Sequence, residues 1–173
     1  MTYKPGLLSH NGDTIQYEPT RKFNNLVILS GAHTIGYAHC AHFLTRLYNY
    51  MGTRRADPSV DPRLLKALKM SCHDSGGNAD IVAPVDVATP FVFDHAYYGN
   101  LESNLGVLAT DQVLYSDSRS VALVKSLARD KQKFFQKFAL AMEKMGSIGV
   151  KRGRRHGEKR KDCSIHGYIR KID

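Results

Sequence analysis

The sequence predicts a mostly α-helical protein with little β-strand. The clearest observation is the segment 130–145, where apolar residues recur at the spacing that places them on one face of a helix. A second observation is the pair of dipeptides Asp57-Pro58 and Asp61-Pro62. In each, a capping aspartate precedes proline, which is favoured at the first position of a helix. Together these observations favour helices joined by short, well-defined turns.

The predicted elements follow one another from an irregular beginning. Residues 1–22 contain prolines and glycines without periodicity, which predicts an extended or loosely ordered arm. Asn24 or Asn25 can cap a short helix through Leu29, and Gly31 suits a left-handed residue that ends it. Later helices are predicted at 38–50, at 62–70 after the Asp61 cap, at 95–104 after the Asp94 cap, within 106–117, at 118–128 and at 130–145 with Gly146 as the stop. Segment 73–81 is predicted to be a loop, and 85–94 an extended segment kinked at Pro90.

Length and charge limit the class of protein. The 173 residues fit one domain, and the formal net charge of +9 favours acidic partners such as nucleic acid, anionic polysaccharide or a membrane surface. No apolar run approaches the ~20 residues of a membrane-spanning helix. The first residues contain no continuous apolar core, so no signal peptide is expected in this chain. Three cysteines without a CxxC spacing leave at least one unpaired within the chain and argue against a zinc ribbon.

Two groups of histidine and cysteine residues are candidates for chemistry. Taken alone, His33 after its predicted helix is more simply explained by hydrogen bonds to the backbone than by ligand binding. A zinc cluster of His33, His39, Cys40 and His42 is an alternative, but no second cluster completes a four-ligand site.

Two further groups are rich in oxygen or in positive charge. Asp86, Thr89 and Asp94 could wrap a calcium ion, which takes six to eight oxygen ligands, although taken alone they are more simply explained by turn formation. The basic segment 151–161 is either a solvated tail or a patch that binds polyanions. It has no interleaved aromatic residues, which argues against the stacking of nucleic-acid bases.

Several motifs together resemble one family. "LVILSGAHTIGYAHC" resembles the proximal-histidine motif of the plant secretory (class III) heme peroxidases. In the order of that family there follow "DPSVDPRLLKALKMSC", "VDVATPFVFDHAYYGNL", "GVLATDQVLYSD", "FFQKFALAMEKMGSIGV" and "GEKRKDC". The resemblance implies the helical heme-peroxidase fold, with a proximal domain at 23–163 and the distal half missing. Residues 1–22 are then an unmatched N-terminal arm, and 164–173 a C-terminal tail.

The resemblance also implies the roles of individual residues. His33 would be the axial ligand of the iron of heme b, and Asp111 would accept a hydrogen bond from its other imidazole nitrogen. Such a carboxylate fixes the tautomer of the ligand and makes it a stronger electron donor, which favours high oxidation states of iron. The implied calcium ligands are the side chains of Thr34, Asp86, Thr89 and Asp94 and the backbone carbonyl of Val92. The implied disulfide joins Cys40 to Cys72.

The activity implied by the resemblance is oxidation of phenolic donors by hydrogen peroxide, in a monomer located outside the cell or in the vacuole. An anionic cell-wall polysaccharide is a further candidate partner, whereas nucleic acid and membranes are not expected. The alternative from a different class is a non-enzymatic remnant that binds heme weakly, or a basic interaction module.

The sequence also departs from the family pattern. The 173 residues contain no stretch like the distal motif "RLHFHDCF", so a truncated product with at most trace activity is expected. The second calcium site, the partner of Cys163 and the secretion signal would belong to that distal half. Val85 stands where the family has an aromatic residue, and 151–155 is more basic than usual.

Overall fold

The computed structural model describes residues 17–74 and 80–150, with side chains described from residue 22 onward. Expectations for the arm before Tyr17, for the basic segment 151–161 and for Cys163 lie outside the described residues. The helices are α1 (Tyr17–Ser30), α2 (Leu44–Tyr48), α3 (Pro62–Ser71), α4 (Ala96–Glu102), α5 (Ala109–Ser116), α6 (Val121–Ala128) and α7 (Lys131–Ser147). The strands β1 (Tyr37–His39) and β2 (Val82–Pro84) pair antiparallel, and short 3-10 turns occupy Gly31–Thr34, Cys40–His42 and Tyr50–Gly52.

The prediction of a mostly α-helical fold is confirmed. The Asp61 side chain accepts hydrogen bonds from the backbone of Arg63 and Leu64, so α3 begins at the predicted aspartate-proline pair. Asp130 caps α7 in the same way, through the backbone N–H of Lys133. No helix within the described ranges combines the length and apolar character needed to cross a membrane.

Helix α1 differs from the prediction at both ends. It begins at Tyr17, so the arm prediction is wrong for 17–22. Pro19 is its third residue, a position where proline leaves no intrahelical hydrogen bond unmade, and its presence therefore does not prevent a helix. The helix ends at Ser30, and Gly31 enters a 3-10 turn rather than the left-handed conformation.

The helix predicted at 38–50 is also wrong for most of its length. The Cys40 N–H donates to the carbonyl of Ile81, and the Val85 N–H donates to the carbonyl of Gly36. This pairing with a distant segment makes 37–39 a strand, because tertiary hydrogen bonds override the local helical spacing. Only Leu44–Tyr48 remains α-helical.

The end of α7 extends past the core. The helix continues through Gly146 to Ser147, so the predicted end at residue 145 is wrong by two residues. Phe134 and Ala141 are buried as predicted, but Met142 and Met145 are 42% and 48% exposed. The helical spacing continues beyond the last element that packs against the helix, so periodicity alone overestimates the core.

Two apolar cores lie on either side of the turn Gly31–Thr34. One contains β1, β2, α2 and α3 with the disulfide between Cys40 and Cys72. The other contains residues of α1, α4, α5, α6 and α7. The turn connects the last helix residue of one core to the first strand of the other, and Thr34 within it is fully buried.

Arg46 on α2 forms a buried ion pair that anchors the loop before α5. Its Nε donates to Asp57 at 2.7 Å, and both side chains are at most 4% exposed. Its Nη1 donates to the carbonyls of Gly106 and Val107. Burial alone would raise the pKa of Asp57, but hydrogen bonds from Ser59 and Arg46 hold that pKa below its usual value.

Gly31 is required by a close approach of aromatic side chains. The Tyr98 hydroxyl donates to the carbonyls of Val27 and Ile28 at 3.1 and 3.0 Å, in the last turn of α1. A Cβ at Gly31 would lie 2.5 Å from the Tyr98 oxygen and 2.6 Å from a ring carbon of Phe134. Any side chain here would separate α1 from α4 and α7.

We therefore expect Gly31→Ala to lower the free energy of unfolding by about 1–3 kcal/mol, as overpacking of a core does. Urea unfolding followed by circular dichroism measures this. The matched control is Gly99→Ala, where a Cβ meets nothing within 4 Å in the interior of α4. That variant should gain about 0.5–1 kcal/mol from helix propensity. Equal effects of the two substitutions would contradict the packing argument.

Arg46→Met should lower the free energy of unfolding by about 3–5 kcal/mol, because it leaves the buried Asp57 carboxylate without its cation. The control is Arg63→Met, which breaks the pair with Asp61 at a site where the arginine is 89% exposed and should change stability little. Denaturant titration of both variants tests the difference. A small loss in Arg46→Met would show that the loop before α5 is held by other contacts.

Candidate functional site

A histidine and a buried carboxylate form the first part of the site. His33 lies in the 3-10 turn after α1, and Asp111 is the third residue of α5. The Nδ1 atom of His33 is 3.0 and 3.1 Å from the two carboxylate oxygens of Asp111. An ionised carboxylate only accepts hydrogen bonds, so Nδ1 carries the proton and Nε2 keeps a free lone pair. The Asp111 side chain is 3% exposed and that of His33 is 42% exposed.

The position of Asp111 makes its negative charge tolerable in the interior. It lies in the first turn of α5, where the helix dipole stabilises an anion. Its hydrogen bond raises the pKa of His33; burial acts in the opposite direction, and the negative charge of Asp111 adds to the increase. Because the folded-state pKa is raised, the imidazolium form of His33 stabilises the fold at lower pH. That contribution is lost as the pH rises through the pKa of His33.

Four side-chain oxygens form the second part of the site, next to the first. The Thr34 hydroxyl is 3.1 Å from Asp86 Oδ2 and 3.4 Å from Asp94 Oδ1. The Thr89 hydroxyl is 3.3 and 3.1 Å from the same two oxygens. For six to eight oxygens at ~2.4 Å from a calcium ion, neighbouring oxygens lie ~2.9–3.4 Å apart. The four oxygens therefore already have the spacing of calcium ligands.

Counting protons shows that hydrogen bonds alone leave this cluster incomplete. Two hydroxyls supply two protons, whereas four close oxygen–oxygen contacts join them to Asp86 and Asp94. At least two contacts therefore bring lone pairs together unless a proton is shared. A cation among the four oxygens would remove this conflict, because every lone pair could then face the ion.

The negative charge of Asp86 also favours a cation at this cluster. This residue is fully buried, and its Oδ1 accepts hydrogen bonds from the backbone of Ala88 and Thr89 and from Asn100 Nδ2 at 2.6 Å. No lysine, arginine or histidine in the described ranges pairs with Asp86 or with Asp94. Two neighbouring carboxylates without a cation are costly in the interior, so the donor set fits a divalent oxygen-loving ion.

The structure brings together most of the residues that the sequence singled out. Val92 lies in the same turn, where its backbone N–H donates to the Thr89 carbonyl at 3.0 Å, and the ligand role of its own carbonyl stays a prediction. The zinc alternative is wrong, because Cys40 is bonded to Cys72. Consistently, no group of three or more histidine, cysteine or acidic residues suited to a metal is found among the described residues. The oxygen cluster has only two acidic members and is completed by hydroxyls.

Three residues of α4 support the site and were not identified from the sequence. Tyr98 holds the end of α1, Asn100 holds Asp86, and the Tyr97 ring meets the His33 ring edge-on with centroids 6.2 Å apart. In the sequence they are indistinguishable from ordinary core residues of a short helix. Only their closeness in sequence to Asp94, and the adjacent pair of tyrosines, could have suggested that they support the site.

Comparisons with known proteins agree with this geometry. The family model described as "Peroxidase" matches residues 22–130, which include His33, Asp111 and the four oxygen donors. Among curated relatives from Arabidopsis thaliana, the chain is 59% identical to "Peroxidase 19" over 140 residues, which is 81% of this chain and 40% of that protein. It is 45% identical to "Peroxidase 7" over 142 residues, again 81% and 40% of the two chains. With "Peroxidase 65" it shares 40% identity over 158 residues, 91% of this chain and 43% of the other.

The chain spans about two fifths of the length of the curated relatives it matches. Within that span the family model covers well over half of the 173 residues. The resemblance found in the sequence motifs is thereby confirmed, and this chain belongs to the peroxidase family, with the plant peroxidases among its relatives.

Proposed function

We propose that this chain forms the heme- and calcium-binding part of a plant peroxidase that oxidises phenolic donors with hydrogen peroxide, outside the cell or in the vacuole. The observation that carries the proposal is the His33–Asp111 pair, in which Nδ1 is held by a buried carboxylate and Nε2 is free. This is the donor chemistry that an axial iron ligand requires. Family membership supports the reaction class.

The residues of the chain would divide the work as follows. Heme, when bound, supplies an iron that reacts with hydrogen peroxide and then accepts electrons from the donor. His33 would hold that iron through Nε2, and its side chain is partly exposed. Asp111 holds the ring in one tautomer and one orientation, and its charge increases electron donation from the imidazole.

The oxygen cluster would bind calcium and fix the position of the iron ligand. Thr34 directly follows His33, so an ion bound by its hydroxyl restrains the backbone that carries the imidazole. Asp86, Thr89 and Asp94 come from the segment before α4, and the Asp94 carboxylate also accepts the backbone N–H of Ala96 at 2.7 Å. The ion would thus connect the turn after α1 to the beginning of α4.

Titration of the chain with hemin tests the iron ligand. The parent should give a defined Soret band, and His33→Ala should lose it because no imidazole is then held at that position. His73→Ala, which removes an exposed histidine next to Cys72 in sequence, is the control and should bind like the parent. If His33→Ala binds hemin with an unchanged spectrum, the axial assignment is wrong. In that case binding through stray histidines, as in a non-enzymatic remnant, is the better description.

Asp111→Asn should retain hemin binding, because Nε2 of His33 remains available. Its peroxidase turnover with a phenolic donor should fall, since the neutral amide no longer increases electron donation from the imidazole. Parent and variant are compared at equal occupancy, so that the rate per bound heme is measured. An equal rate would show that Asp111 only supports the fold.

Calcium should raise the melting temperature of the chain. At a concentration 100 times its dissociation constant, an ion bound only by the native state adds about 2.7 kcal/mol of stability. Asp94→Asn should lose most of this increase, because it removes one of the two charges without changing the size of the side chain. The matched control is Asp130→Asn, at an exposed helix cap, which should keep the full increase. An equal response of all three chains to calcium and to chelator would argue against the site.

A further inference from the structure

The Tyr97 hydroxyl is a buried group that the proposed mechanism does not use. Tyr97 is the second residue of α4 and is 2% exposed, and its hydroxyl has no hydrogen-bond partner in the described part of the chain. The neighbouring Tyr98 hydroxyl, equally buried, donates to two backbone carbonyls. A buried hydroxyl without a partner costs stability, so its presence calls for a reason.

Asp111 accepts fewer hydrogen bonds than its carboxylate can. Both of its oxygens face the single Nδ1 proton of His33, at 3.0 and 3.1 Å, although a carboxylate can accept about four hydrogen bonds. Burial raises the pKa of Tyr97 well above its usual value, and the negative charge of Asp111 and a weak hydrogen bond to that carboxylate raise it further. The hydroxyl therefore lies next to the carboxylate, just short of the geometry of a full hydrogen bond.

We propose that Tyr97 is a positioning residue that acts through Asp111, donating its hydroxyl hydrogen bond to the carboxylate and thereby limiting the negative charge that Asp111 offers to His33. A small movement that leaves one Asp111 oxygen on His33 frees the other for Tyr97. The phenol keeps its proton in both arrangements, so only hydrogen bonds are exchanged. The effect of this hydrogen bond on iron chemistry rests on the proposed function, whereas the hydrogen bond itself does not.

Two hydrogen-bond donors on one carboxylate compete for its charge. When Tyr97 donates, Asp111 becomes a weaker acceptor and the bond from His33 Nδ1 lengthens and weakens. When Tyr97 withdraws, the full charge acts on His33. The edge-on contact of the Tyr97 and His33 rings, at an interplanar angle of 79°, keeps the phenol beside this pair in either arrangement.

The experiment observes the Nδ1 proton of His33 by NMR in the chain without added hemin, at one fixed pH. Loss of the signal in His33→Gln assigns it. Tyr97→Phe should move this proton downfield, because a carboxylate with one donor fewer accepts more strongly from the other. The matched control is Tyr48→Phe, which removes a hydroxyl that donates to the Cys72 carbonyl at 2.8 Å and should leave the signal in place.

A second measurement keeps the proposal testable if Tyr97→Phe does not fold. Chain labelled with 3-fluorotyrosine carries more acidic phenols, which donate more strongly and should move the Nδ1 proton upfield. A folded Tyr97→Phe chain whose signal stays in place or moves upfield overturns the proposal. So does a labelled chain whose signal does not move.

The hemin complex supplies a separate readout of the consequence. Tyr97→Phe should lower the reduction potential of the bound iron relative to the parent and to Tyr48→Phe, because His33 then donates more strongly. If hemin does not bind through His33, the proposed function fails while the NMR result still stands. If hemin binds and neither the proton signal nor the potential moves, only the role of Tyr97 is wrong.

Discussion

The close contact of Gly31 with Tyr98 and Phe134 determines where the chain goes after α1. With no side chain at residue 31, the aromatic residues of α4 and α7 reach the backbone, and the Tyr98 hydroxyl holds the last carbonyls of the helix. The helix therefore tightens into a 3-10 turn at a fixed place. The last two residues of this turn, His33 and Thr34, consequently contact different partners.

This arrangement explains why two polar sites can coexist between two apolar cores. His33 uses a carboxylate from α5, and the buried Arg46 anchors the loop that leads into that helix. Thr34 uses carboxylates from the segment before α4. Each site collects groups far apart in sequence, so neither exists in the unfolded chain. Ligand binding at either site therefore stabilises the whole fold rather than a local loop.

Local chemistry predicted the elements that depend on neighbouring residues, such as the Asp61-Pro62 start of α3 and the buried face around Phe134. It failed where hydrogen bonds to a distant segment of the backbone determine the local structure, as in the strand 37–39, which pairs with 82–84. The pairing of His33 with Asp111, 78 residues later, followed from family resemblance, because no periodicity relates two such positions. The roles of Asn100 and Tyr97 were not predicted even from the family resemblance, because they depend on which side chains face these residues after folding.

Helix α4 is the element through which the two sites influence each other. Asp94 belongs to the oxygen cluster and also accepts the first N–H of this helix, and Asn100 in its last turn donates to Asp86. Between them, Tyr97 lies against His33 and close to Asp111. A cation that draws Asp94 and Asp86 together therefore sets the position of α4 relative to the histidine. A cation bound by the proposed oxygen cluster would thus be linked to the charge on His33 by packing through this helix.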